Sequence, residues 1–432
     1  MAFHATDPPV SVSDFADAAG RSPDDYSFRR YLTAKTTVDD RALHGPTEAR
    51  LEAELADISA TRDRATPVRV LEVGAGVGTT LPRLLARDRL PGRVHYTMLD
   101  REAANLDSAR ERLRAWGDRS DTPVDRSEPD ESADDLRLSH DDGIVTVRFE
   151  TADVFDFVAD RAADAPDYDL LLAQAFLDLI DLEEDLPRLL SVVTDGGLVY
   201  APITFDGETV FQPTPADLRD DAVLDLYHAT MDAPDRPGSS TTGRELLTAL
   251  PACGCAILSA GASDWVVYPQ HVDGETEVTG GAGVHADHRP DDLTGDESPG
   301  DATATDQGGD ERSEEPPAPE TGGDSPDDSS PAPELPGVTT PDPPVPAVEA
   351  AWEPTDDAHY LADEAYFCHH IVHTVESAVA DVLAGETSVD PGRADLTRAD
   401  LQAWAETRHR QIHDGDLLYL AHNLDLLARV RR

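Results

Sequence analysis

Three glycines at alternating positions are the clearest candidate for part of a functional site. Gly74, Gly76 and Gly78 follow an apolar run at 68–73 that predicts a buried strand, and a helix is predicted to open at Thr79. Glycine lets a backbone turn tightly and approach a ligand closely. The free N–H groups at the start of a helix suit an anionic or carboxylate group. The spacing therefore predicts a ligand-binding loop between a strand and a helix.

Two classes of ligand use such a loop. A dinucleotide site needs G-x-G-x-x-G, and the sixth position here is a threonine. An acid, one residue and then G-x-G-x-G, beginning at Glu72, resembles instead the first motif of class I (Rossmann-like) S-adenosylmethionine-dependent methyltransferases. The resemblance implies that the loop wraps the methionine part of S-adenosyl-L-methionine and that Glu72 helps to orient its amino group. The loop residues implied are Gly74, Ala75, Gly76, Gly78 and Thr79.

Further motifs of this family follow in order along 66–270. In the family, an acid after the second strand bonds both ribose hydroxyls, which a carboxylate can do because it accepts from several donors. A polar and an apolar residue after the third strand grip adenine, and the loop after the fourth lies beside the sulfonium. The corresponding residues are Asp100 with Arg101, Asp153 with Val154, and Gln174 with Ala175.

Candidate residues for the methyl acceptor lie near the other strand ends. Methyl transfer is an in-line displacement that needs a lone pair about 3 Å from the methyl carbon. A base matters only when the acceptor is a hydroxyl or a protonated amine. His228 and Asp178 are the candidate catalytic residues, and Tyr227 and Arg244 are candidate substrate contacts. The alternative interpretation of 223–246 is an insert that merely precedes a helix.

An aromatic and charged segment at 26–43 precedes the first strand. It contains Lys35, the one lysine of a chain whose other basic residues are arginines. Two interpretations remain open. The segment is either a lid over the donor, with Tyr31 and Lys35 facing inward as substrate contacts, or an amphipathic helix that only packs.

The last block, 351–432, is predicted to be helical from its aromatic and leucine spacing. It either docks on the core and completes the acceptor pocket, with His422 and Asn423 in that pocket, or forms a small independent helical domain. His369 and His373 share a helix face, but no acids or cysteines at zinc-binding spacing accompany them. We therefore predict no metal.

The alternation of strands and helices predicts an α/β fold. We expect a doubly wound, mostly parallel seven-stranded sheet with an antiparallel last strand. Strands at 255–260 and 264–268 are predicted to form a closing hairpin around a tight turn. The predicted divisions are an N-terminal helical cap or lid (1–65), the core (66–270) with an acidic loop insert (117–143), a disordered acidic proline-rich linker (271–350) and the helical C-terminal block (351–432).

Charge and composition limit the classes of protein to which the chain can belong. The chain has 35 Lys+Arg against 87 Asp+Glu, a net charge of −52. Such a surface repels itself in dilute buffer but is tolerated where molar salt cuts the Debye length to roughly 3 Å. We therefore expect a halophilic protein. Three cysteines, with no secretory or membrane-spanning pattern, favour the cytoplasm.

The combined patterns predict methyl transfer from S-adenosylmethionine to an oxygen or nitrogen of a small molecule. No basic stripe with interleaved aromatic residues indicates nucleic acid, although the acidity by itself argues only weakly against it. Two alternatives remain open: an RNA or protein methyltransferase on the same fold, and a non-catalytic S-adenosylmethionine-binding protein. The broken dinucleotide pattern weighs against an NAD-type oxidoreductase. The sequence predicts no oligomeric state.

Overall fold

A computed structural model describes residues 26–63, 66–119, 124–125, 136–140, 143–161, 167–270 and 359–432. The described residues belong to one compact unit. The linker predicted at 271–350 lies outside the described residues, and the insert predicted at 117–143 is described only in part.

The described residues form eleven α-helices and ten strands. In chain order, the helices are α1 (Phe28–Ala34), α2 (Thr36–Ala42), α3 (Gly45–Ala60), α4 (Thr80–Ala86), α5 (Ala103–Arg119), α6 (Val154–Arg161), α7 (Asp185–Leu190), α8 (Asp220–Met231), α9 (Thr242–Ala252), α10 (Glu364–Ala384) and α11 (Arg398–His413). The strands are β1 (Val68–Val73), β2 (Arg93–Asp100), β3 (Val124–Asp125), β4 (Leu136–His140), β5 (Gly143–Thr151), β6 (Tyr168–Leu172), β7 (Val193–Gln212), β8 (Cys255–Ala262), β9 (Trp265–Val267) and β10 (Leu418–Val430).

One mixed sheet joins the ten described strands, whereas seven were predicted. Its order is β3-β4-β5-β2-β1-β6-β7-β10-β8, and β9 also pairs with β10. The five central strands from β5 to β7 are parallel. The predicted α/β fold with a mostly parallel central sheet is confirmed. Parallel strands present their carboxyl ends at one edge, which is where ligands of such sheets bind.

Helices cover both faces of the sheet, as a doubly wound fold requires. Leucines of α3, α4 and α5 pack on one face, among them Leu51, Leu84 and Leu113, which are at most 1% exposed. Leucines of α7 and α9 pack on the other, including Leu189 and Leu246. Burying these side chains is the main source of the sheet's stability.

A third apolar cluster joins the N-terminal and C-terminal helices. It contains buried residues of α1, α8, α10 and α11 together with ends of β7 and β10. Tyr31, Tyr227, Phe367 and Trp404 are among its aromatic members. The N-terminal segment 26–43 is therefore packed into the protein rather than free of it.

The end of the C-terminal block differs from the prediction, because 418–430 is a strand and not a helix. β10 lies antiparallel between β7 and β8, pairing Asn423 with Phe205 and Leu427 with Ser259. Both a helical and an extended pattern fit its leucine-rich sequence. Pairing on both edges favours the extended conformation, because it gives the backbone N–H and C=O groups of this apolar segment hydrogen-bond partners.

The predicted hairpin of 255–260 and 264–268 is also corrected. β8 and β9 do not pair with each other, since both pair antiparallel with β10, one after the other along its edge. The antiparallel neighbour of β7 is thus β10. Part of the predicted acidic loop, 136–140, forms β4 beside β5, because Leu138 finds a fully buried position there.

Candidate functional site

The glycine loop leaves β1 at the carboxyl edge of the sheet. Gly74, Gly76 and Gly78 have φ values of +64°, +55° and +70°, a region that side chains other than glycine rarely adopt. A Cβ at Gly78 would lie 2.6 Å from Cβ of Ala109 on α5, so the glycine also permits close helix packing. The predicted loop has the conformation that its glycines implied, and α4 begins at Thr80, one residue after the predicted start, with Thr79 as its N-cap.

Asp100 ties the glycine loop to the end of β2. Its Oδ2 accepts a hydrogen bond of 2.8 Å from the backbone N–H of Gly76. Its Oδ1 accepts from the backbone N–H of Glu102 at 2.8 Å and from Nδ2 of Asn105 at 3.2 Å. A carboxylate has about four acceptor positions. The protein occupies three, so one remains for a ribose hydroxyl.

Glu72 lies below the loop, inside the sheet. Its side chain is 2% exposed and accepts a hydrogen bond of 2.9 Å from the hydroxyl of Tyr96. Burial raises the pKa of Glu72 to about 7, against the lowering effect of hydrogen bonds from Thr80 and Tyr96. This carboxyl therefore braces the strand below the loop, and it faces neighbouring side chains rather than solvent.

The residues predicted to hold adenine, Asp153 and Val154, lie just after β5. Asp153 is exposed, and Val154 is 9% exposed at the start of α6. Arg101, predicted beside Asp100 at the ribose, is exposed after β2. Oδ1 of Asp153 accepts a 2.8 Å hydrogen bond from the backbone N–H of Phe155, which caps the helix. Asp153 therefore has a local structural role, and its second carboxylate oxygen is available to a ligand.

The loop after β6 brings Gln174, Ala175 and Phe176 to the same edge. Ala175 has a φ of +46°, and its N–H bonds the carbonyl of Pro202 at 3.0 Å. The ring of Phe176 covers Gly74, because a Cβ there would be 2.6 Å from its Cδ2. A ligand on the loop at Gly74 would therefore have to displace this ring.

Gln174 does not face open space. Its Nε2 donates to Oδ2 of Asp39 at 2.9 Å, and its Oε1 accepts from Nη1 of Arg83 at 2.9 Å. Arg83 also pairs with Asp40, and both side chains are 2% exposed. The loop expected beside the sulfonium is thus joined to α2 by a buried polar network.

Asp39 is the centre of that network. It is fully buried and accepts from Nζ of Lys35, Nε2 of Gln174 and Nε1 of Trp265, each at 2.9 Å. Lys35 also lies 5.3 Å from the ring centroid of Trp265. The structure therefore turns Lys35 inward, toward the sheet. Sequence reasoning missed Asp39, because one aspartate has no distinguishing pattern in a chain this rich in exposed acids.

The charge of Asp178 affects the pKa of both Tyr31 and Tyr227. Burial, followed by the charges of Asp39 and Asp178, raises the pKa of Tyr31 well above its usual value. Burial and the charge of Asp178 likewise raise the pKa of Tyr227. The charge of Asp178, in the loop after β6, thus acts on two phenols that belong to α1 and α8.

The remaining acceptor-side candidates are held by other partners. Nε2 of His228 lies 3.1 Å from the hydroxyl of Thr209, and burial lowers the pKa of this histidine. Nε of Arg244 donates to Asp206 at 2.8 Å. Nδ1 of His422 lies 2.6 Å from Oδ1 of Asp264.

Asn423, another predicted pocket residue, lies inside the sheet. It is 1% exposed, and its side chain donates to the carbonyl of Ala421 at 3.1 Å. Its side-chain amide therefore stabilises β10 itself.

Histidines of α10 and α11 lie close to one another. Nδ1 of His369 is 2.8 Å from Nδ1 of His409. Burial lowers the pKa of His369 to about 3 and that of His409 to about 4. Within the ranges that the structure describes, no three His, Cys, Asp or Glu side chains form a metal-binding group.

A cavity of about 500 Å³ lies between the loop after β6 and α9. Ile180, Leu182, Arg236, Glu245 and Cys253 are among the residues that line it. The glycine loop does not contribute to its lining. Among the described helices, none combines the length and the apolar character needed to cross a membrane.

Comparisons with known proteins return structural likenesses only. No protein-family model matches the chain, and no curated protein matches it. A structure from Galdieria sulphuraria, provisionally named a sarcosine dimethylglycine methyltransferase, is 11% identical with a TM-score of 0.31, covering 89% of this chain and 86% of that one. Mitomycin 7-O-methyltransferase is 17% identical with a TM-score of 0.27, covering 48% and 49%. Likenesses this weak do not by themselves establish a family.

Proposed function

We propose that the protein transfers a methyl group from S-adenosylmethionine to an oxygen or nitrogen atom of a small molecule. The 2.8 Å hydrogen bond from Gly76 N–H to Asp100 is the observation that carries the proposal. It joins a glycine loop after β1 to an acid at the tip of β2, at the carboxyl edge of a parallel sheet. The sequence resemblance assigns these two features to the donor.

The residues at this edge fit the donor in chemistry and order. The backbone of the glycine loop would hold its methionine part, the free acceptor position of Asp100 would take a ribose hydroxyl, and Asp153 with Val154 would flank adenine. The donor supplies a methyl group already activated on a positively charged sulfur. Binding also requires movement of the Phe176 ring from Gly74.

The helices α1 and α2 would exclude water from the reacting atoms. A Cβ at Gly76 would lie 3.2 Å from Cδ1 of Leu32, so α1 packs directly against the glycine loop. Asp39 holds α2 to the loop after β6 through Gln174. Closing a site in this way orients the reactants and keeps solvent out. We therefore assign a lid role to 28–42.

Calorimetry in molar KCl tests the donor assignment. We expect S-adenosylmethionine and its demethylated product to bind with micromolar dissociation constants and NAD to give no heat. Asp100→Ala should weaken both by at least about tenfold, because a ribose contact and the loop tether are lost. The control Asp107→Ala removes an exposed acid from α5. Unchanged affinity in Asp100→Ala, or binding of NAD alone, would overturn the assignment.

A labelled methyl group identifies the acceptor class. A cell extract is incubated with the protein and labelled donor, and the label is then measured in small-molecule, RNA and protein fractions. We expect it in the small-molecule fraction. Label in RNA or protein would favour the second enzymatic alternative, and donor binding without transfer would favour the non-catalytic one.

A further inference from the structure

Asp178 holds an acceptor atom that the protein leaves unused. Its Oδ1 is buried and has no hydrogen-bond partner among the described residues. A buried acceptor of this kind is unfavourable unless something binds to it. The backbone at this position is closely packed, because a Cβ at Gly238 would overlap the carbonyl oxygen of Asp178.

No basic residue of the described chain neutralises Asp178. Its carboxylate has no salt bridge in the ranges that the structure covers. Lys35, the lysine of the proposed lid, donates instead to Asp39 at 2.9 Å. The site thus has a negative charge that a ligand can match.

Two buried phenols lie within electrostatic range of this charge. The carboxylate of Asp178 acts electrostatically on both Tyr31 and Tyr227, which are each 6% exposed. Tyr31 stacks on His370 with ring centroids 4.5 Å apart and on Phe367 at 5.6 Å. These stacking contacts occupy the faces of the Tyr31 ring, whereas a phenol oxygen can accept a hydrogen bond from a cation. The surroundings of Asp178 are therefore suited to a positive group rather than to a neutral or anionic one.

We propose that the methyl acceptor is an aliphatic amine, bound as its ammonium ion to Asp178 between Tyr31 and Tyr227. This inference rests on the proposed methyl transfer and selects nitrogen over oxygen. Asp178 follows β6 in the same loop as Ala175 and Phe176, so it lies beside the residues assigned to the sulfonium end of the donor. In this position the amine and the methyl group would be neighbours.

Methyl transfer to such an amine can be written as a balanced step with these groups. The ammonium gives one proton to the carboxylate of Asp178, and the freed lone pair forms the nitrogen–carbon bond. The sulfur–carbon bond breaks with its electron pair kept on sulfur, so the donor leaves as a neutral thioether. Asp178 is partly exposed and can pass the proton to water.

Two isosteric probes test the site without any need for turnover. Choline has a quaternary ammonium group, and 3,3-dimethylbutan-1-ol has the same shape without the charge. Ligand-observed NMR in KCl of matched ionic strength, with the demethylated donor product present, gives a dissociation constant for each. We expect choline to bind about tenfold more tightly, and the preference to be lost in Asp178→Asn. In the control Asp181→Asn it should persist, because this neighbouring residue only caps the backbone N–H groups of 183 and 184.

The outcomes separate this inference from the proposed function. Equal affinity for the two probes in the unmodified protein overturns the amine site, even if the donor product binds. A preference that survives in Asp178→Asn overturns it as well. A choline preference without binding of the donor or its product supports the cation site and overturns the proposed methyl transfer. Thermal unfolding of each variant shows whether it is folded, and the comparison of probes in the unmodified protein needs no variant.

Discussion

Oδ2 of Asp39 lies 2.9 Å from Nε2 of Gln174, joining α2 to the loop after β6 across 135 positions of sequence. The same carboxylate accepts from Lys35 and Trp265. One buried side chain thus connects the proposed lid, the proposed reaction edge and β9. Because buried charges require partners, each of these elements depends on the others for its position.

Asp39→Ala is expected to destabilise the protein by about 3–5 kcal/mol, because it leaves the buried ammonium of Lys35 without its counter-ion. Chemical unfolding measures this loss. Asp57→Ala, at an exposed position on α3, is the matched control and should change stability by less than about 0.5 kcal/mol. A similar small effect at Asp39 would show that the network does not hold the lid.

Comparison of Gly78→Ala with Gly196→Ala distinguishes the effect of backbone strain from that of steric overlap with a neighbouring side chain. Both glycines have positive φ, +70° and +79°, so both substitutions strain the backbone. Only at Gly78 does the added Cβ meet a neighbour, Ala109, whereas at Gly196 nothing lies within 4 Å. We expect Gly78→Ala to lower the free energy of unfolding by about 1–3 kcal/mol more than Gly196→Ala does, and to weaken donor binding. Equal losses of stability in the two variants would contradict a packing role for Gly78.

Leu427→Ala tests whether β10 is integral to the sheet. Leu427 is fully buried between β7 and β8, so truncation should cost about 2–5 kcal/mol. Leu247→Ala is the control, since that leucine is 39% exposed on α9. Urea unfolding gives both values. If the two substitutions cost the same, β10 is not part of the core.

The buried histidines predict a loss of stability in acid. Burial lowers the pKa of His409 to about 4, so the unfolded chain, with a value near 6.5, binds a proton first. Stability from this group is present above pH 6.5 and is lost as the pH falls toward 4. Glu72 acts in the opposite direction, because its raised pKa of about 7 means that the folded state binds a proton first.

His409→Gln isolates the histidine contribution. The unfolding free energy of the unmodified protein and of the variant is measured between pH 7.5 and 5. We expect the difference between the two to shrink by about 1–2 kcal/mol over this range, because the variant has no group there to protonate. His413→Gln, on the same helix, is the control. A constant difference would contradict the assignment of a neutral buried histidine.

The sequence by itself determined the features that depend on local pattern. The glycine loop, the strand before it and Asp100 at the end of the next strand follow from neighbouring residues, because strand and turn preferences act over a few positions. The alternation of strands and helices likewise indicated a doubly wound sheet.

Only the tertiary structure decided the features that depend on distant partners. The segment 418–430 became a strand because β7 and β8 pair with both of its edges, and no local pattern specified those partners. Asp39 became the centre of a buried network because Gln174 and Trp265 come to it from 135 and 226 positions away. A side chain's role in such a network is set by the donors around it, which the chain brings together only when it folds.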